Sequence, residues 1–337
     1  MAFFKSIIVP LDGSELSAEA LPAACLMAEV AGSPITLLRS FEGVPQWHAD
    51  ADLGRFSGSL ALAEHDRITA YLTAEKQRLQ ELDVNVPIDV FVGEGRAETV
   101  ITDLAGREPE RLIVMSTHGR GGLSRMVMGS VTARVVRSVS NPTLVVHGGS
   151  PVGPRVGRSL DNVIVPLDGS AFAERSLAYA GELARACGAQ VVLVRSTRNA
   201  DYLRAHTQWT RLDDEGGFHF GGPAEMASSM VALSREYMWR KAEELETRFG
   251  LSDVEAVNSL EEPADAVVDL ARRSRNAVVV MATRGRWGVG RALLGSVADQ
   301  VVRRSPAPTL LVRAPLRGGK FAPATASEDQ ERELARV

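Results

Sequence analysis

Two glycine–serine segments carry the spacing best suited to chemistry. One runs from Gly119 to Gly129-Ser130-Val131, the other from Gly285 to Gly295-Ser296-Val297, with nine residues between the glycines of each pair. Each segment follows a short apolar run that reads as a buried strand and leads into an apolar-periodic helix. A strand, a glycine-rich loop and a helix N-terminus together form a phosphate cradle. Backbone N–H groups point outward there and the helix dipole favours negative charge. Glycine admits positive φ and lets a ligand approach the backbone. Ser130 and Ser296 are placed as N-caps, whose hydroxyls can cap the helix and also meet a phosphate oxygen. Arg120 and Arg125, matched by Arg286 and Arg291, can add positive charge or simply form a solvated loop face.

Asp12 and Asp168 are the next candidates. Each ends a repeated stretch, Ile7-Ile-Val-Pro-Leu-Asp-Gly-Ser14 and Val163-Ile-Val-Pro-Leu-Asp-Gly-Ser170. In open α/β sheets ligands bind outside the carboxyl ends of strands, where an aspartate can accept from a ribose or a base. The competing role is capping of the following helix, which suits Ser14 and Ser170 still better. Other chemistries fail on the residues. There is no G-x-x-x-x-G-K-[ST], no G-x-G-x-x-G and no G-x-S-x-G. None of the six histidines pairs with another metal ligand in the manner of H-E-x-x-H, and the other copy has Arg284 where the first has His118. No nucleophile–base–orienter set recurs in both copies, which counts against an enzyme. Cys25 and Cys187 do not align with each other and read as small buried hydrophobes.

These residues need strands and helices to hold them, and the pattern supplies the same set twice. Leu37-Leu-Arg-Ser40 returns as Leu193-Val-Arg-Ser196, and Pro142-Thr-Leu-Val-Val146 as Pro308-Thr-Leu-Leu-Val312. The first copy reads as strands Ser6–Leu11, Pro34–Arg39, Pro87–Val92, Arg111–Ser116 and Thr143–His147. Helices Ser17–Ala31, His65–Leu82, Ala97–Arg107 and Ser130–Ser138 alternate with them. In the second copy, strands fall near 162–167, 190–195, 253–259, 277–282 and 309–313. Continuous apolar strands alternating with helices imply parallel sheets buried on both faces. The domains expected are 1–148 and 161–314, with a Gly/Pro/Ser-rich linker at 149–160 and a largely disordered tail at 315–337. Loops 41–62 and 198–224, carrying Trp47, His48, Trp209 and His219, differ between the copies.

The chain has 337 residues, 45% hydrophobic and 24% charged, as expected of a two-domain globular protein. A net charge of −4 gives no general reason for nucleic acid or an anionic membrane as partner. Met1–Gly13 reads as a first strand and not a signal peptide, and no apolar run reaches the ~20 residues of a membrane helix. A cytoplasmic location is expected.

With these motifs in place the sequence resembles the universal stress protein family, as two tandem domains. The V-P-L-D-G-S strand ends and the two glycine loops carry the resemblance. ATP-binding members of that family show Gly, two residues, Gly, nine residues, then Gly with Ser or Thr. Here the first glycine is replaced by Ser116 and by Ala282, both small enough for a ribose to approach. The resemblance implies a Rossmann-like α/β fold of the adenine nucleotide alpha hydrolase type, with a five-stranded parallel sheet of order 3-2-1-4-5 in each domain. It implies base or ribose contacts from Pro10, Asp12 and Ser40, and from Pro166, Asp168 and Ser196. Ser116, Gly119, Arg125, Gly129, Ser130 and Val131 would surround the phosphates, as would Ala282, Gly285, Arg291, Gly295, Ser296 and Val297. It further implies ATP with Mg2+ held through the phosphates and a nucleotide-dependent stress-response role. Pairing of the fifth strands would make an intramolecular pseudo-dimer, and two chains could associate as a homodimer.

Overall fold

The computed structural model describes residues 3–43, 51–117, 128–147, 160–197, 223–283 and 294–313, with side chains from 60 and from 228 onward in the two long helices. The first half runs β1 (Ile7–Pro10), α1 (Glu15–Ala18), α2 (Leu21–Ala31), β2 (Ile35–Phe41), α3 (Ala51–Glu81) and β3 (Ile88–Glu94). It continues through α4 (Ala97–Gly106), β4 (Leu112–Thr117), α5 (Ser130–Ser138) and β5 (Thr143–His147). The second half runs β6 (Asn162–Pro166), α6 (Arg175–Cys187), β7 (Gln190–Ser196), α7 (Pro223–Phe249) and β8 (Val254–Ser259). It ends with α8 (Pro263–Arg273), β9 (Ala277–Ala282), α9 (Ser296–Arg304) and β10 (Thr309–Val312).

The strands form one ten-stranded sheet in the order β3-β2-β1-β4-β5-β10-β9-β6-β7-β8. Each half therefore has the expected order 3-2-1-4-5, and all pairs within a half are parallel. The halves meet where β5 and β10 pair antiparallel, with Leu144 opposite Leu310. Successive residues of one strand enter opposite cores. Ile7 and Val9 join a cluster shared by both halves, while Ile8 joins a smaller cluster under α4 and α5. Burial on both faces explains why the strands read as unbroken apolar runs. Cys25 is buried and its thiol is pushed up to about 12, by burial first and the Glu29 charge second, in keeping with a structural hydrophobe. Cys187 is half-buried.

Two helices differ from expectation. The helix expected at 17–31 is split into α1 and α2, because Pro22 has no N–H to continue the ladder toward Ala18. The segment expected as loop at 41–62 is helical from Ala51 onward. Leu60 and Leu62 are exposed, so these two apolar residues mark no core-facing stripe that periodicity could detect. The 198–224 loop lies outside the described residues up to 222, where α7 then begins. The linker 149–160 falls outside them except for Leu160, which is buried, and the tail 315–337 falls outside them entirely.

Two side chains fasten the seam between the halves. Arg313 donates to the carbonyls of Val136, of Arg137 at 3.1 Å and of Val139 at 2.8 Å, closing the C-terminal end of α5. At the matching position of the first half His147 hydrogen-bonds the Val302 backbone of α9, and its Nδ1 is buried with no partner among the described residues. Burial, the larger influence, lowers the His147 pKa against that single bond. The folded protein thus resists protonating His147. The stability it contributes is full above the ordinary histidine value of about 6.5 and falls as pH drops below it. Melting temperatures between pH 7.5 and 5 should show this acid-side loss, and His147→Gln should flatten it.

Candidate functional site

The site of the first half lies at the carboxyl ends of β1, β2 and β4, against the N-terminus of α5. Pro10, Asp12, Ser40, Ser116, Gly129, Ser130 and Val131 line one cavity of about 380 Å3. That is within the usual range of about 300–1,000 Å3 for small-molecule sites. Its apolar wall includes Leu38, Ile101 and Met115, which no motif singled out. Gly119 and Arg125, with Arg120 and His118, lie outside the described residues.

At its phosphate-like end the structure corrects one expectation. Gly129, and not Ser130, is the N-cap of α5, and Ser130 is the first helical residue. Gly295 likewise caps α9 ahead of Ser296. Neither glycine offers a side-chain acceptor, and α5 has no acidic residue in its first turn. The leading N–H groups of α5 therefore have no intrahelical acceptor and no capping side chain, the arrangement that suits an anion. Thr132 Oγ1 donates to the Ser116 carbonyl at 3.0 Å, tying the end of β4 to this helix.

At the opposite end Asp12 serves two roles. Its Oδ1 accepts from Ser14 N at 2.9 Å and from Ser14 Oγ at 2.5 Å. Ser14 Oγ in turn accepts from Ser17 N at 3.1 Å and so caps α1. Burial alone would raise the Asp12 carboxyl, but the bonds from Ser14 and Ser17 outweigh it and hold it below the usual value. An ionised, acceptor-only group thus faces the cavity at neutral pH. Asp168 repeats the turn, accepting from Ser170 N at 2.9 Å and Ser170 Oγ at 2.6 Å, with Ser170 Oγ accepting from Ala173 N. Ser14 takes the capping role expected of it, whereas Ser170 closes only the turn before α6, whose N-cap is Glu174.

In the second half Pro166, Asp168, Ser196, Ala282, Gly295, Ser296 and Val297 occupy the corresponding ends of β6, β7 and β9 and the start of α9. Ser196 Oγ is committed to the Glu261 carbonyl at 2.6 Å. Gly285 and Arg291, with Arg284 and Arg286, lie outside the described residues.

One pair of groups escaped the sequence reading. The Arg39 guanidinium sits over the Tyr71 ring at 5.3 Å, and Arg39 is among the residues that line the cavity. Arg195 sits over Tyr237 at 4.9 Å in the second half. Each also presses on the glycine after the strand-end aspartate. A Cβ on Gly13 would lie 2.5 Å from Arg39, and one on Gly169 would lie 3.1 Å from Arg195. Both glycines have positive φ, +87° and +90°. Both arginines lie in the repeated Leu-Leu-Arg-Ser and Leu-Val-Arg-Ser, a pattern that by itself marks only the duplication.

The sequence pattern of the Universal stress protein family matches residues 3–147 and again 159–313. The chain belongs to the universal stress protein family. It is a tandem member. A universal stress protein of Methanocaldococcus jannaschii is 30% identical over 151 residues, which are 42% of this chain and 82% of that protein. One from Mycolicibacterium smegmatis is 25% identical over 312 residues, 91% of this chain and 96% of its own. Among solved structures, a universal stress protein from Archaeoglobus fulgidus superposes with a TM-score of 0.61 at 18% identity, covering 91% of this chain and 98% of its own. That likeness concerns the fold. No helix among the described residues is long and apolar enough to cross a membrane.

Proposed function

We propose that this universal stress protein binds ATP at one site in each half and acts in the cytoplasm as a nucleotide-dependent stress-response regulator, with slow hydrolysis at most. The observation that carries this reading is that one cavity of the first half joins both ends of the site. An ionised aspartate stands at one end and an uncapped helix N-terminus at the other, with small residues Ser116 and Gly129 between them. Phosphates would rest on the backbone of Gly129, Ser130 and Val131, and on that of Gly295, Ser296 and Val297 in the second half. Asp12 and Asp168 would accept from the base or ribose. Mg2+ would arrive on the phosphates and offset their charge. Among the described residues no group of three or more His, Cys, Asp or Glu is placed to hold a metal by itself. Binding would stabilise the folded chain by mass action, about 2.7 kcal/mol at 100 times the dissociation constant.

The test is the nucleotide content of the purified protein, released by denaturation and quantified by chromatography, followed by titration with ATP and Mg2+. Two adenine nucleotides per chain are expected at saturation. Absence of bound nucleotide together with a flat titration would replace this reading with a nucleotide-free interaction module.

A further inference from the structure

Arg39 and Arg195 are half-buried cations with no carboxylate in ion-pair range among the described residues. Each is nevertheless held from two sides, by a tyrosine ring and by a glycine whose missing Cβ leaves room for the guanidinium. In the second half the platform is itself braced. Tyr237 Oη donates to Glu174 Oε1 at 3.0 Å, and Lys241 Nζ donates to Glu174 Oε2 at 2.8 Å. A guanidinium spends little further entropy when it is already ordered, and it brings five N–H donors and no acceptor. Both copies keep the arrangement although their long helices differ in charge around it, Glu75 in one standing where the other has Lys241.

Position says which part of a ligand Arg39 would meet. The helix N-terminus follows β4 and Arg39 lies two residues before the end of β2, on opposite sides of β1. Neighbouring strands lie about 4.8 Å apart, so roughly 10 Å of sheet separates the two. A nucleotide with its phosphates on α5 therefore brings its base to Arg39. Asp12 stands at the same end and can only accept. Adenine offers a matching edge, an exocyclic N–H2 donor beside ring-nitrogen acceptors.

We infer that Arg39, and Arg195 in the second half, contact the base directly by donating to a ring nitrogen of the bound adenine. The inference rests on the nucleotide reading above and adds to it the group that recognises the base. A chemical double-mutant cycle tests it. Full-length wild-type protein and Arg39→Met are titrated, each in a Gly295→Glu background that leaves only the first site. The ligands are ATP and its 1-deaza, 3-deaza and 7-deaza analogues. Arg39→Met should weaken ATP tenfold or more. One deaza analogue should bind the wild-type residue tenfold or more weaker than ATP does, yet match ATP in Arg39→Met. Arg39→Lys, which keeps charge and stem but not the planar fork, should lose the same coupling, and it serves if Arg39→Met does not fold. A merely structural role would weaken all four ligands equally and leave no coupling. Equal losses, or unchanged ATP affinity in Arg39→Met, would overturn the inference and leave nucleotide binding standing. A wild-type site that takes no ATP would remove both.

Discussion

Gly129→Glu is expected to abolish nucleotide binding at the first site while the fold survives. Gly129 has φ −52° and ψ 145°, a conformation open to any residue, so the backbone does not resist the change. The new side chain has to enter the cavity that Gly129 lines. Its carboxylate would meet the free N–H groups of the α5 first turn and take the place of a phosphate. It would also favour the helix dipole, by about 0.3–1 kcal/mol. Affinity at that site should fall 100-fold or more, about 2.7 kcal/mol, with the melting temperature of the unliganded protein held or raised. Titration and thermal melting of the same sample read both numbers. Nucleotide stoichiometry unchanged in the Gly129→Glu, Gly295→Glu double variant would show that the cradles lie elsewhere.

Arg313→Ala is expected to give the largest loss of stability. The guanidinium closes three carbonyls at the end of α5 and donates to Thr283 Oγ1 at 3.4 Å, joining an element of one half to a strand of the other. Arg175 Nη1 in turn donates to the Arg313 carbonyl at 3.1 Å. Burial lowers the Arg313 pKa from its ordinary value, yet a guanidinium stays charged at neutral pH. Its hydrogen bonds are therefore charge-assisted, each worth about 1.5–3 kcal/mol net. Truncation also strands partly buried carbonyls, so the cost should be about 3 kcal/mol, or several degrees of melting temperature. Arg313→Lys should recover part of it. Chemical denaturation of the full chain measures the difference, and wild-type stability in Arg313→Ala would mean that solvent satisfies those carbonyls.

Much of this architecture was legible because burial on both faces leaves a plain mark. Ile7–Val9 and Val163–Val165 could hardly be anything but central parallel strands, and the α5 limits, Ser130 and Ser138, fell where its apolar period began and ended. What stayed hidden had no local signal. Leu60 and Leu62 of α3 are exposed, so they give that stretch no core-facing period to read. The exchange of cap between Gly129 and Ser130 turns on a single ψ angle. Arg39 meets Tyr71 only after the chain has folded α3 back over β2, so neither residue announces the other. Arg313 and His147 look like ordinary strand ends until the antiparallel pairing of β5 and β10 brings each against a helix of the opposite half.

That pairing also fixes a matter of stoichiometry. Two separate half-length subunits joined edge to edge would obey mass action and come apart on dilution. Here the partners share one polypeptide, and a tether of this kind holds them at an effective concentration on the order of millimolar however dilute the protein becomes. Each molecule also carries one Arg313 arm and one His147 arm, never two alike. Acidification should therefore loosen one flank of the seam ahead of the other, a built-in polarity that no assembly of identical subunits could have.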